Sequence, residues 1–129
     1  MYKKILIIAT ILAAISVILG AMAAHILEQH LTNKMLNAFK TATQYQMYHS
    51  LAIALCGLLY KTEENKYFKK AFYLFFVGIF LFSGSLYGLS LLSLTQITSL
   101  NFIGAITPIG GLCFIAGWIY LAVAINKIK

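Results

Sequence analysis

The sequence predicts an all-α fold, an integral membrane four-helix bundle, and three observations predict it. First, 61% of the 129 residues are apolar or aromatic and 10% are charged, against about half and about a quarter in soluble domains. A lone domain of this size cannot hide that much apolar surface from water. Second, four apolar stretches are each long enough to cross a hydrocarbon core, which takes about 20 helical residues. Third, the lysines fall in the gaps between these stretches. An ordinary cytosolic globule, a disordered chain and a disulfide-stapled secreted module are all excluded.

The first span runs from Ile5 to Ala24 without a charge. Lys3-Lys4 and Ala21-Met22-Ala23 give it the outline of a secretory signal peptide, but its apolar run exceeds the usual length of such a segment, so it is read as a span. The second span, about 42–60, is less apolar. The third covers about 71–94 and the fourth about 102–125. In hydrocarbon the backbone must satisfy its own hydrogen bonds, so each stretch is expected to be helical. The alternation of a membrane β-barrel is absent. The gaps of about 20, 10 and 7 residues leave no room for a soluble domain, and the last two are short enough to join antiparallel neighbours. One four-span domain over residues 1–129 results.

Between spans one and two, Leu27, Leu31, Met35, Phe39 and Ala42 recur at helical steps. Thr32 or Asn33 caps the start of this stretch. Lys34, Asn37 and Lys40 lie off the stripe, which predicts an interfacial amphipathic helix leading into span two.

Ten lysines face three glutamates, Glu28, Glu63 and Glu64, for a net charge of +7. Lys3, Lys4, Lys61, Lys66, Lys69, Lys70, Lys127 and Lys129 fall on one side of the four spans, and Lys34 and Lys40 on the other. This asymmetry places both termini and the Lys61–Lys70 loop in the cytoplasm. Lysines in such loops suit anionic lipid headgroups and do not form the basic face that nucleic-acid binding needs. The expected partners are lipid and either a membrane-protein complex or a second copy of the chain.

Small residues let helices approach in lipid. Gly20 on span one, Gly84 and Gly88 on span three, and Gly110, Gly111 and Gly117 on span four are the packing candidates. Pro108 frees the carbonyl of Gly104 and predicts a kink or loosened helix facing the bundle interior. Cys56 and Cys113 differ too much in depth for a disulfide and read as packing residues.

Counting depth at ~1.5 Å per residue from the lysine-rich ends gathers Gln46, His49, Ser83, Ser85, Tyr87 and Thr107 into one layer of the outer half. Uncompensated polar groups cost several kcal/mol in hydrocarbon, on the order of a lost hydrogen bond or more, so these side chains are expected to meet one another. The specific expectation is a network of His49 and Gln46 with Ser83 or Ser85 near Thr107-Pro108. An intramembrane ionisable group is a functional candidate, and helix register is the competing role. His25, at the interface, ranks below His49. The two histidines sit at different depths, which argues against a bis-histidine haem. No spacing suits a metal, and no phosphate loop or nucleophile elbow appears. No cofactor is expected.

Gly20-Ala21-Met22-Ala23-Ala24-His25, Tyr45-Gln46-Met47-Tyr48-His49, Leu81-Phe82-Ser83-Gly84-Ser85-Leu86-Tyr87, Ile106-Thr107-Pro108-Ile109-Gly110-Gly111 and Gly117-Trp118 occur in that order. The set resembles the YgdD-like family of small bacterial inner-membrane proteins, a domain-of-unknown-function family with a eukaryotic branch. Met22 and Ala23 replace the Phe and second Gly of its first block. The resemblance implies four spans and a bacterial membrane location, and no activity. The leading expectation is a non-enzymatic protein supporting membrane integrity or a membrane complex. The alternative is a small carrier or channel-like protein whose cavity opens outward at His49, Ser83 and Thr107 and narrows toward Trp118.

Overall fold

A computed structural model describes residues 1–95 and 101–128. The helices are α1 (Tyr2–His25), α2 (Asn33–Thr62), α3 (Lys66–Gly78), α4 (Gly84–Leu92) and α5 (Asn101–Asn126). A π-helical turn, Ile79–Ser83, joins α3 directly to α4, so the two form one rod. Short 3-10 turns follow α1 and α4. Every regular element among the described residues is helical. The expected loop between the third and fourth spans falls on 96–100, outside the described residues.

Local sequence sets the helix ends. The Thr32 side chain accepts from Met35 N at 3.3 Å and starts α2. Asn65 accepts from Tyr67 N at 3.0 Å and starts α3. Both caps occupy extended backbone, as N-caps do. Only Glu63 to Asn65 separate α2 from α3, so the two run antiparallel.

α1 packs mainly on α2, α2 on the α3–α4 rod, and that rod on α5. Three helical segments are long and apolar enough to cross a membrane: Tyr2–Gln29, Lys66–Thr95 and Phe102–Asn126. The chain is thus a multi-pass helical membrane protein. α2, the expected second span, has the length, at 30 residues, but falls short in composition. Thr41, Thr43, Gln44, Gln46, His49 and Ser50 dilute it. Thr43, Gln46, His49 and Ser50 are buried against neighbouring helices.

Two sequence expectations need correction here. The amphipathic stretch is no separate interfacial helix. Leu27 lies in the 3-10 turn after α1 and Leu31 before the Thr32 cap, and from Asn33 onward the stretch is the first third of α2, unbroken from Asn33 to Thr62. Leu31, Leu36 and Phe39 are buried with Ala23 and Leu27 in a small core, because α1 and α4 cover the face that was expected to rest on headgroups. Likewise α5 is continuous through Pro108, which is exposed. The irregular backbone is the π-turn of the α3–α4 rod, which meets α5 at Gly110. A Cβ on Gly110 would sit 2.8 Å from Leu81 C and Phe82 Cα. Bare backbone there lets α5 press against the widened turn.

The glycines divide by what surrounds them. Gly78 and Gly117 accept aromatic rings: a Cβ on either would fall 2.6 Å from Phe114 or Phe75. Gly57 does the same less tightly for Ile5 and Leu6 at 3.1 Å. The packing roles expected of Gly20, Gly84 and Gly88 are not seen, since nothing among the described residues lies within 4 Å of their Cβ positions. Gly84 instead borders a 230 Å³ cleft between α1 and the rod. Gly111 makes only ordinary contact with Phe82 at 3.9 Å. Helix spacing locates small residues but not the side on which the neighbour stands.

Both termini and the α2–α3 turn meet at one end of the bundle. Lys61 Nζ lies 5.8 Å from the Tyr2 ring, Lys127 Nζ 5.1 Å from Tyr67, and Lys70 Nζ 5.3 Å from Tyr120. Lys34 and Lys40 belong to the opposite end of α2.

Gly78→Ala and Gly117→Ala are expected to destabilise by about 1–3 kcal/mol through overpacking. Gly84→Ala and Gly88→Ala should be neutral or stabilising by up to about 1 kcal/mol through reduced backbone entropy. Thermal unfolding in detergent checks the contrast, and equal effects at all four positions would refute it.

Candidate functional site

The set of side chains expected to form one polar network divides into separate groups. Its largest part is a set of bonds that tie α2 to its neighbours. Gln46 Nε2 donates to Leu12 O on α1 at 2.8 Å, and Tyr87 on α4 donates its hydroxyl to Gln46 Oε1 at 2.8 Å. One amide therefore bridges three helices. Ser16 donates to Thr43 O at 2.7 Å, Ser83 to Ala42 O at 2.7 Å, and Ser90 to Met35 O at 3.0 Å. These acceptors are helix carbonyls that already serve their own helix, and a carbonyl oxygen has a second lone pair for such a bond.

Ser85 and Thr107 join α4 to α5 at 2.6 Å. Ser85 has one proton and directs it to Phe82 O at 2.9 Å. Thr107 is then the donor to Ser85. No buried side-chain nitrogen or oxygen among the described residues lacks a partner.

His49 stands apart from this set, and the expected bonds from it to Gln46, Ser83 or Ser85 are not present. Its Nδ1 lies 2.7 Å from Tyr45 O, and Trp118 Nε1 approaches its Nε2 at 3.3 Å. A carbonyl accepts only and an indole N–H donates only. The geometry therefore describes a neutral ring with the proton on Nδ1 and the Nε2 lone pair facing Trp118. Phe114 stacks on the imidazole with centroids 3.5 Å apart and planes 5° apart. Phe75 tilts against it at 5.6 Å, and Tyr45 stacks on Phe82 at 4.6 Å.

The fold explains this cluster. Gly78 and Gly117 leave the hollows that Phe114 and Phe75 occupy, and both rings pack against the histidine. Phe114 lies midway along α5 and His49 midway along the part of α2 that α1 covers. Each is about 20 Å from the lysine-rich end at 1.5 Å per residue.

Beside the cluster runs a groove of about 570 Å³, lined by Tyr45, Tyr48, His49, Phe82, Gly111, Phe114, Ile115 and Trp118. Ser83 and Thr107, expected in the wall of a cavity at His49, are elsewhere. Trp118, expected at its narrow end, is part of the wall. The sequence reading missed Phe114 and Phe75 as the surroundings of His49, and Ser16 as a tie. A histidine one helical turn after a tyrosine was the legible part of the signal.

His25 is exposed in the last turn of α1 and is not part of either group. His30 bonds Ile26 O at 2.9 Å outside the spans. Cys56 is buried, Cys113 is half-buried, and both are free thiols.

The sequence profile of a family described as "Protein of unknown function (DUF423)" matches residues 19–111. The UPF0382 membrane protein YwdK of Bacillus subtilis is 44% identical over 126 residues, covering 97% of this chain and 98% of the relative. A UPF0382 membrane protein of Staphylococcus epidermidis is 42% identical over 125 residues, or 97% of each chain. One from Haemophilus influenzae is 39% identical over 129 residues, covering 100% of this chain and 98% of the relative. No solved structure matches.

Gln46→Leu is expected to cost about 1–3 kcal/mol, because it strands the Tyr87 hydroxyl as well as losing its own bonds. Ser90→Ala should cost about 0.6 kcal/mol, the average for interhelical bonds in membranes. Tyr87→Phe combined with Gln46→Leu should cost less than the sum of the two single changes. A double-mutant cycle in detergent tests this, and strict additivity would show that the Gln46–Tyr87 bond contributes nothing.

Proposed function

We propose, for a chain that belongs to the DUF423 family of membrane proteins, a non-enzymatic role: it supports membrane integrity or a membrane complex through contacts with lipid and with neighbouring proteins. All four helical rods cross the bilayer in this reading, as a single domain in a bacterial inner membrane, with both termini and the Lys61–Lys70 turn in the cytoplasm. The YgdD-like grouping and its eukaryotic branch are part of the same proposal.

The observation that carries the reading is the convergence of cations on tyrosine rings at one end of the bundle. Lys66, Lys70 and Lys127 each place Nζ within 6 Å of the Tyr67 ring, at 5.5, 5.9 and 5.1 Å. Tyr67 stacks on Tyr120 at 6.2 Å, and Lys69 lies over Tyr60 at 5.8 Å. Tyrosine and lysine together at a helix-bundle end fit a membrane surface: the rings sit at headgroup level, and each lysine near an anionic surface contributes about 1 kcal/mol. The polar side chains of the interior, by contrast, are engaged in holding helices together, which supports a structural part for Gln46, Ser83, Ser85, Tyr87 and Thr107.

The carrier reading draws on the groove at His49. Its walls are aromatic, and Ser83 and Thr107 do not line it, so it offers less to a hydrated solute than the cavity expected from the sequence. Proton or solute flux into vesicles that His49→Ala abolishes would favour it over the structural role.

Two outcomes follow from the favoured reading. The triple variant Lys66→Gln, Lys70→Gln, Lys127→Gln should retain anionic lipid about a hundredfold less well, at about 1 kcal/mol for each charge. Native mass spectrometry of protein released from phosphatidylglycerol-containing nanodiscs measures this, and unchanged retention would sink the lipid contact. Glu64→Cys, in a Cys56→Ala, Cys113→Ala background, should react with an impermeant maleimide only after the cells are opened. Labelling of intact cells would reverse the orientation.

A further inference from the structure

We infer that the groove beside His49 binds a membrane-dissolved molecule carrying a flat ring with oxygens attached to it, the chemistry of a quinone or quinol headgroup. The site is independent of the lysine end and lies about 20 Å from it along α2.

Position comes first. Tyr48 is 56% exposed, Ile115 59% and Trp118 46%, so the groove opens sideways from the middle of the bundle. In a membrane that mouth faces acyl chains and not water. A ligand reaches it by lateral diffusion within the bilayer and must itself be soluble there.

Hydrogen bonding comes second. Among the described residues, the Tyr45 and Tyr48 hydroxyls have no protein partner. A phenol left bare in hydrocarbon costs free energy, and an acyl chain in the groove would leave it so. The Trp118 bond to His49 Nε2, at 3.3 Å, lies at the long end of hydrogen-bond distances, and a ligand that offers both groups a closer partner can replace it. The residues that line the groove thus carry three donors, the two phenols and, once its bond to His49 opens, the indole N–H. They also carry one acceptor, His49 Nε2, which stays unprotonated because Nδ1–H is committed to Tyr45 O and which becomes available when the Trp118 bond opens.

Shape comes third. The walls are ring faces already arranged as stacked pairs, His49 on Phe114 and Tyr45 on Phe82, and aromatic faces favour another flat ring in offset contact. The volume, about 570 Å³, is within the range of small-molecule sites, about 300–1,000 Å³. A ring carbonyl accepts from the phenols and a ring hydroxyl donates to His49 Nε2, so both oxidation states of such a headgroup find partners.

Trp118 is the single tryptophan of the chain, and its emission therefore reports from the groove wall. The test is titration of the full-length protein in nanodiscs with menadione, a bare naphthoquinone ring. Saturable quenching of Trp118 is expected. The double variant Tyr45→Phe, Tyr48→Phe keeps every ring and removes only the two unpartnered hydroxyls, so it should fold as the wild type does and bind about tenfold more weakly. Phe80→Leu, on the exposed side of the π-turn, should leave the binding curve unchanged. Quenching of the wild type that rises linearly without saturating, as collision in the bilayer produces, overturns the site. So does an affinity that the double variant leaves unchanged, or one that Phe80→Leu weakens as much.

Discussion

The structure depends on one constraint: a polar group inside hydrocarbon must find its partner within the protein. α2 is the least apolar of the long helices, and on its own it is the one least suited to a bilayer. Its neighbours resolve this. Gln46 reaches α1 through Leu12 O and α4 through Tyr87, while Ser16 and Ser83 come from either side to the carbonyls of Thr43 and Ala42. Two adjacent carbonyls of one helix thus receive bonds from two different helices. Individually such bonds contribute little, on average about 0.6 kcal/mol. Their directionality matters more, because sliding any helix by one residue would strand several groups together. Apolar packing alone would not impose that register, since lipid tails and leucine side chains are nearly interchangeable to a helix.

Close packing supplies the second half of the fold, and the same contacts build the aromatic cluster. Where α5 meets the rod, Gly110 presses against the widened backbone at Leu81 and Phe82, and Gly78 and Gly117 receive the rings of Phe114 and Phe75. These rings bracket His49. The π-turn lies where the backbones come closest. It leaves Phe82 beside Tyr45 on the groove, Ser83 toward α2 and Ser85 toward α5. π-turns are frequent at functional sites, and this one touches both the ties and the groove.

Legibility in the sequence followed the physics that each feature obeys. The apolar helical spans, the cap at Thr32, the gathering of lysines at one end and the polar character of the mid-chain residues depend on local composition and periodicity. Those could be read directly. The identity of each partner could not. Depth counting placed Gln46, Ser83 and Tyr87 at similar heights, and height is only one of two coordinates. The rotation of each helix about its axis decides that Tyr87, not Ser83, meets Gln46, and that His49 turns toward α5 and away from the serines. The same missing coordinate explains Gly84 and Gly88: their spacing marks a smooth helix face, but that face borders open space.

By itself, then, the amino-acid sequence determined that the chain enters a membrane as helices, which end of the bundle is basic, and which side chains must be compensated inside. Each of these is a property of a residue and its near neighbours along the chain. Only the tertiary structure decided that the amphipathic stretch before span two continues into it, that the irregular backbone belongs to the α3–α4 rod and not to the helix that carries Pro108, and that a histidine at mid-height is surrounded by aromatic rings. Those outcomes depend on which surface each helix turns toward another. Contacts between residues far apart in sequence settle that rotation jointly, and no single segment contains the information.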